Sequence, residues 1–224
     1  MESSKFIFDE YLLKEKLLPL ISPERLVLTD DCFIKSAVLF LIIPYNDKSY
    51  DLVLIRRTKS ENDKHSGEMG FPGGIVDIKD SSLEVTALRE CEEELGIPRE
   101  NISILGSFDD HITPKGFIIT PIVGYINEKQ QMNKENAEVQ EIVKIPIDFF
   151  VNKKNYREKT IALKEETIAV GKYTYKDFLG NKYVIFGATA HLIVHFIDRV
   201  YGQNLMRRGC RRLTCSDIKD KLAK

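Results

Sequence analysis

The chain has 224 residues, 43% of them apolar and 30% charged, with 33 Lys+Arg against 34 Asp+Glu. That is enough for one globular domain to close a core without disulfides or a structural metal. A formal charge of -1 provides no whole-molecule field for nucleic acid or an anionic membrane, so neither is expected as a partner, and any bound anion must be held by local groups or a metal.

The four cysteines (Cys32, Cys91, Cys210 and Cys215) have neither the density of a secreted scaffold nor a CxxC spacing, which points to reduced thiols and a cytoplasmic location. The opening MESSKFIFDEYLLKEKLL mixes acids and lysines without an apolar stretch, so no secretory signal is expected. The final Leu222-Ala223-Lys224 does not match a peroxisomal SKL-type address.

In chain order, a polar helix is predicted near Glu10 to Leu20. A buried strand follows at Ser36 to Ile43, where the longest apolar run, Ala37 to Pro44, is far too short to span a bilayer. A turn at Tyr45-Asn46-Asp47 and a strand at Tyr50 to Arg56 complete a hairpin. A polar stretch from Arg57 to Met69 leads into Phe71-Pro72-Gly73-Gly74. Ser81 with Glu84 three residues later reads as a capping box, opening a helix that Gly96 ends. Strands are expected at Ile102–Phe108, Phe117–Ile126, Glu138–Ile145 and Lys182–Phe186, and a last helix at Ala188–Tyr201, while Asn152 to Lys182 is placed only coarsely. Strands outnumber helices and do not alternate with them, which favours an α+β sandwich over a doubly wound sheet. One domain is read at 31–203, with a helical extension at 1–30 and a basic tail at 204–224.

The helix from Ser81 to Gly96 carries the chemistry. At about 100° per residue, Val85, Leu88, Cys91 and Leu95 fall on one side and Glu90, Glu93 and Glu94 on the other. Three carboxylates on one face repel each other until a hard divalent cation binds, and an oxygen-only set suits Mg²⁺ or Mn²⁺. Arg89 lies among these acids, and upstream glycines allow backbone to approach a metal or phosphate closely. Cys91, on the apolar side, reads as a small core residue.

The run from Gly73 to Ile97 resembles the Nudix box, GX5EX7REUXEEXGU with U aliphatic. Its second half is matched from Arg89 to Ile97 except for Cys91 at a U position. In the first half Asp80 replaces the family's glutamate, and eight residues rather than seven separate it from Arg89. The resemblance implies a Nudix-type α/β/α sandwich with a mixed sheet, and hydrolysis of a nucleoside diphosphate linked to another moiety. It assigns Glu90 and Glu94 as main metal ligands, with Glu93 as a further ligand or as the group activating water. Gly73 is a candidate carbonyl ligand, and Arg89 orients a glutamate by hydrogen bonds.

The stretch from Leu54 to Gly74 resembles the signature of coenzyme A pyrophosphatases, LLTxR(S/A)x3Rx3Gx3FPGG, and implies substrate contacts at Arg57, Gly67, Phe71 and Gly74. Asp63 stands where that signature has its second arginine, and Lys59 and Lys64 are the candidates to supply the missing charge. Thr113-Pro114-Lys115-Gly116-Phe117, Thr120-Pro121-Ile122-Val123-Gly124 and Ile185-Phe186-Gly187-Ala188-Thr189-Ala190 resemble further segments of the subfamily. Coenzyme A or an acyl derivative is thus the expected substrate, ahead of NADH, ADP-ribose, a nucleotide sugar or a non-catalytic nucleotide sensor; a homodimer stays open.

Thr113 and Lys115 are candidate substrate contacts, as are His65 and His111 in loops. Glu138 is read either as a surface glutamate or as a carboxylate brought by a later loop to serve as base or ligand. His191 and His195 are assigned to packing or surface, and the basic run Arg207 to Arg212 to solvent.

Overall fold

A strand covered on both faces can be apolar at every position, and β1 (Ile34–Ile43) is such a strand. Ala37, Leu39, Leu41 and Ile43 enter one buried cluster, and Phe40 and Ile42 enter another on the opposite face. The computed structural model describes residues 6–46, 49–58, 67–163, 166–206, 211 and 213–222. Lys59, Asp63, Lys64, His65 and residues 207–210 and 212 therefore lie outside the described residues.

In chain order the elements are α1 (Glu10–Lys16), β1, β2 (Asp51–Arg57), β3 (Met69–Gly70), β4 (Gly73–Ile75), α2 (Leu83–Leu95), β5 (Ser103–Ser107) and β6 (His111–Ile112). They continue with β7 (Phe117–Tyr125), β8 (Val139–Pro146), α3 (Ile147–Val151), β9 (Tyr156–Leu163), β10 (Glu166–Lys176), β11 (Lys182–Phe186), α4 (Gly187–Tyr201) and α5 (Cys215–Leu222). The main sheet is mixed: β1 runs parallel to β7 and antiparallel to β2 and β4, with β8 and β3 on β2, and β5 and β6 on β7. A second sheet, in the order β11-β10-β9, is antiparallel throughout.

Helix α2 covers one face of the main sheet with Ala87, Cys91 and Leu95. Helix α4, through Ala190, Ile193, Val194, Phe196 and Ile197, covers the other together with Tyr173, Tyr183 and Ile185 of the small sheet. This is the sandwich with a mixed sheet that the sequence led us to expect. Asn152 to Lys182, placed only coarsely from the sequence, folds into a short 3₁₀ turn at Lys153–Asn155 and the long β9–β10 hairpin.

The N-terminal helix does not project away: Leu13 and Leu17 join the α4 cluster, and Arg199 donates to the Lys16 carbonyl at 2.8 Å. The segment read as a basic tail carries α5, whose Ile218 packs with Phe33, Ile112 and Ile118. Arg211 is not a solvated cation, since it pairs with Asp217 at 2.6 Å.

Candidate active site

The site is built where β1 has two partners along one edge. Leu41–Ile43 pair with β2, whereas Ser36–Val38 pair with β4, and between them the Leu39 amide donates to the Pro72 carbonyl at 2.8 Å. This register lays Gly73 beside Val38 and Gly74 beside Ala37. A Cβ on Gly73 would sit 2.4 Å from the Ala37 carbonyl oxygen, and one on Gly74 would sit 2.4 Å from the Glu90 carboxyl carbon. The fold thus requires glycine at 73, against backbone, whereas at 74 glycine leaves the space that the Glu90 carboxylate occupies.

Helix α2 delivers that carboxylate. Its N-cap is Ser82, one residue later than the sequence pattern indicated: the Ser82 hydroxyl accepts from the Val85 amide at 3.2 Å, and left-handed Gly96 closes the helix. The neighbouring residue Asp80 binds Arg89 in a fork, receiving Nε at 3.0 Å and Nη2 at 2.9 Å. It also accepts from the Asp77 amide and the Thr86 hydroxyl. Arg89 and these donors hold the Asp80 carboxyl well below the usual carboxylate range.

Arg89 also reaches Glu90 through Nη1 at 2.8 Å, Glu93 at 3.3 Å and the Ile75 carbonyl at 3.1 Å. One guanidinium therefore fixes the loop, the helix start and two glutamates at once. Glu93 remains half exposed.

Glu94 departs from the expected open face. It is 2% exposed, turned inward beneath the glycine pair, and accepts from the Gly73 amide at 3.0 Å. Burial pushes its carboxyl up to about 8, against the opposing pull of that amide, with Glu90 adding repulsion. Burial raises Glu90 too, partly offset by Arg89.

Glu138 comes to the same place from the far side of the fold. Arg57 Nη2 donates to its Oε2 at 3.1 Å, and the Thr58 amide donates to its carbonyl at 2.7 Å. The charges of Glu138 and Arg57 both act on Glu94. The sequence named both residues without connecting them, because the connection depends on β2 pairing with β8, with a register shift at Arg56/Arg57.

Gly67 lies nearby, donating to the Arg57 carbonyl at 3.1 Å, and borders a groove of about 410 Å³ between β2, β3 and β11. A depression of about 560 Å³ bounded by Gln130–Asn133, Ile142 and Lys144 includes no candidate residue.

Other candidates are placed elsewhere. Phe71 is a core residue, 5% exposed and stacked on Phe40 with ring centroids 4.4 Å apart, so its ring is not open to a substrate. Thr113 closes the β6–β7 turn, its hydroxyl accepting from the Phe117 amide at 3.1 Å, and Lys115 sits exposed on that turn. His111 is buried in β6, edge-on to His191 at 5.3 Å, rather than lying in an open loop. His191 accepts from the Gly171 amide, and His195 faces Asp109 at 3.4 Å. Among the described residues no group of three or more His, Cys, Asp or Glu side chains converges as a ready metal cage.

Residues 35–160 match the NUDIX domain model. This chain belongs to the Nudix hydrolase family. The uncharacterized Nudix hydrolase NudL of Photorhabdus laumondii is 30% identical over 160 residues, covering 71% of this chain and 83% of that protein. The peroxisomal coenzyme A diphosphatase NUDT7 of Mus musculus is 29% identical over 161 residues, 71% of this chain and 67% of that protein. A MutT/nudix family protein of Enterococcus faecalis aligns structurally with a TM-score of 0.48 at 15% identity, covering 80% of this chain and 66% of that one. In this Nudix family member the stretch that resembles the family box, Gly73 to Ile97, forms β4, the loop after it and helix α2 with its end. Among the described residues no helix is long and apolar enough to cross a membrane.

Proposed function

We propose that this Nudix protein is a Mg²⁺- or Mn²⁺-dependent hydrolase that cleaves coenzyme A or an acyl-CoA to 3′,5′-ADP and (acyl-)4′-phosphopantetheine. The observation that carries the hydrolase part is the glycine cradle. Glu90 lies against Gly74 with no room for a Cβ, and Glu94 lies buried beneath Gly73. Two carboxylates of raised basicity and an adjacent backbone loop form a hard-oxygen set, and Mg²⁺ commonly takes one or two protein carboxylates with water and phosphate oxygens completing its shell.

In this reading Glu90 and Glu94 hold the ion, with the Gly73 carbonyl as a further ligand. A bound divalent ion neutralises the pyrophosphate and acidifies a coordinated water. Arg89 does not touch substrate; its bonds to Asp80, Glu90 and Glu93 keep the carboxylates aimed at the loop. Glu138 or Glu93 takes the proton from the attacking water, and Arg57 holds Glu138 in position. Gly67 borders the groove beside the site, whereas Phe71 supports the loop from within the core.

The coenzyme A assignment is supported by the signature-like stretch from Leu54 to Gly74 and by the similarity to a coenzyme A diphosphatase over 71% of this chain. The test is product mass spectrometry after incubation with coenzyme A, Mg²⁺ and ¹⁸O-water. One ¹⁸O atom should appear in one of the two phosphate-bearing products. Cleavage of NADH or ADP-ribose with coenzyme A left intact would overturn the substrate, and no cleavage of any of these would overturn the reaction.

A further inference from the structure

The overall charge is close to zero, yet the charges are not evenly spread. In the small sheet alternate residues face away from the core: Arg157 and Lys159 on β9, Lys172, Thr174 and Lys176 on β10, and Lys182, Val184 and Phe186 on β11. The register sets Lys172 opposite Arg157 and Lys176 opposite Lys182. Like charges directly across a ladder destabilise it, so stability does not account for this arrangement. Glu166 shares this alternation only at the opposite end of β10; no acid enters the outward set between Lys172 and Lys176, at Arg157 and Lys159, or along β11, and among the described residues no carboxylate forms an ion pair with any of these five cations.

The hairpin tip between β10 and β11 adds a second, independent feature. Phe178 is 95% exposed and Leu179 is 71% exposed. The tip is rigid: Asp177 Oδ1 accepts from the Leu179 and Asn181 amides at 2.9 and 2.8 Å, its Oδ2 accepts from the Asn181 side chain, and Gly180 takes a left-handed φ of 87°. Asp177, the acid nearest the tip, is thereby committed to the turn. Two large apolar side chains are held out in water, flanked by Lys176 and Lys182.

We propose that this hairpin and the basic face behind it dock on an anionic lipid bilayer, with Phe178 and Leu179 inserted at the interface and the cations over the headgroups. Apolar residues that enter the boundary, backed by lysines and arginines, are the two signals that together give stable peripheral binding. A second copy of this chain is a poor occupant, since a two-fold contact would set cations against cations. A nucleic acid would use the cations but leave Leu179 without a stacking partner.

The full-length protein should sediment with vesicles of phosphatidylcholine plus phosphatidylserine and much less with phosphatidylcholine alone, and added salt should weaken the binding. The double variant F178S/L179S and the double variant K176E/K182E should each bind roughly tenfold more weakly. Hydrolysis of soluble substrate by F178S/L179S should be unchanged, which also reports that the variant is folded. Because the chain contains no tryptophan, F178W places a single indole at the tip, and its emission should shift to the blue on the mixed vesicles. Absence of binding to the mixed vesicles at low salt would overturn the proposal. So would binding that F178S/L179S leaves intact, an unmoved F178W emission, or retention on polyuridylate without vesicle binding.

Discussion

Arg57 and Glu138, 81 residues apart in sequence, meet at 3.1 Å beside the acidic helix. The pair joins the end of β2 to the start of β8, and both charges act on Glu94. Arg57 is the arginine that the coenzyme A-type signature assigns to substrate, and here its guanidinium holds a carboxylate.

If Arg57 acts through Glu138, Arg57→Ala should lower kcat by about tenfold to a hundredfold, the worth of one charge-assisted hydrogen bond, with KM changing far less. Arg57→Lys should recover part of the loss. Combining Arg57→Ala with Glu138→Gln should cost no more than Glu138→Gln alone, and full additivity in that double-mutant cycle would separate the two residues.

The two glycines should fail in different ways. Ala at position 74 meets only the end of the flexible Glu90 side chain, so Gly74→Ala should keep its Tm while Mn²⁺ affinity drops by about tenfold or more. Ala at position 73 meets the Ala37 backbone oxygen, so Gly73→Ala should lose about 3 kcal/mol of stability. Calorimetric titration and thermal unfolding of both variants check this contrast.

Glu94 gives a pH signature in metal-free protein. Its folded carboxyl titrates at about 8 against an ordinary 4.5, so the folded state retains a proton that the unfolded state has released. The stability associated with that proton is complete below about 4.5 and is lost as pH rises towards 8. Urea midpoints in chelator should therefore decline across that window, and Glu94→Gln should flatten the decline. The same variant should turn over more slowly by several decades, at about 10³-fold, with its fold retained by circular dichroism.

Asp80 should matter for both stability and activity through Arg89, which it holds. Removing it leaves Arg89 without its fork, so Asp80→Ala should cost about 2 kcal/mol in chemical denaturation and lower kcat. Its depressed pKa means that wild type loses this contribution as pH falls below the usual carboxylate range, whereas the variant has none to lose.

Much of this was legible in the chain because local patterns carried it. The apolar run at Ala37–Ile43, the glycine after the acidic helix and the spacing of Arg89, Glu90, Glu93 and Glu94 each announce their own element. What escaped depends on contacts distant in sequence. Helical spacing put Glu94 on the open face, but the glycine loop folds over it and buries it. Phe71 read as part of a binding signature, yet stacking on Phe40 draws it into the core. His111 read as a loop residue because β6 is too short to show alternation. The basic sheet face was invisible while Arg157, Lys172 and Lys182 lay on strands whose pairing was unknown.

The double pairing of β1 has a final implication for how this protein ages under heat. The strand that holds the innermost hydrocarbon layer also holds the glycine pair over the acids, so the chemistry has no hinge of its own that can loosen first. Inactivation on warming should accordingly track the collapse of the whole molecule, in one step, with no folded but idle species preceding it.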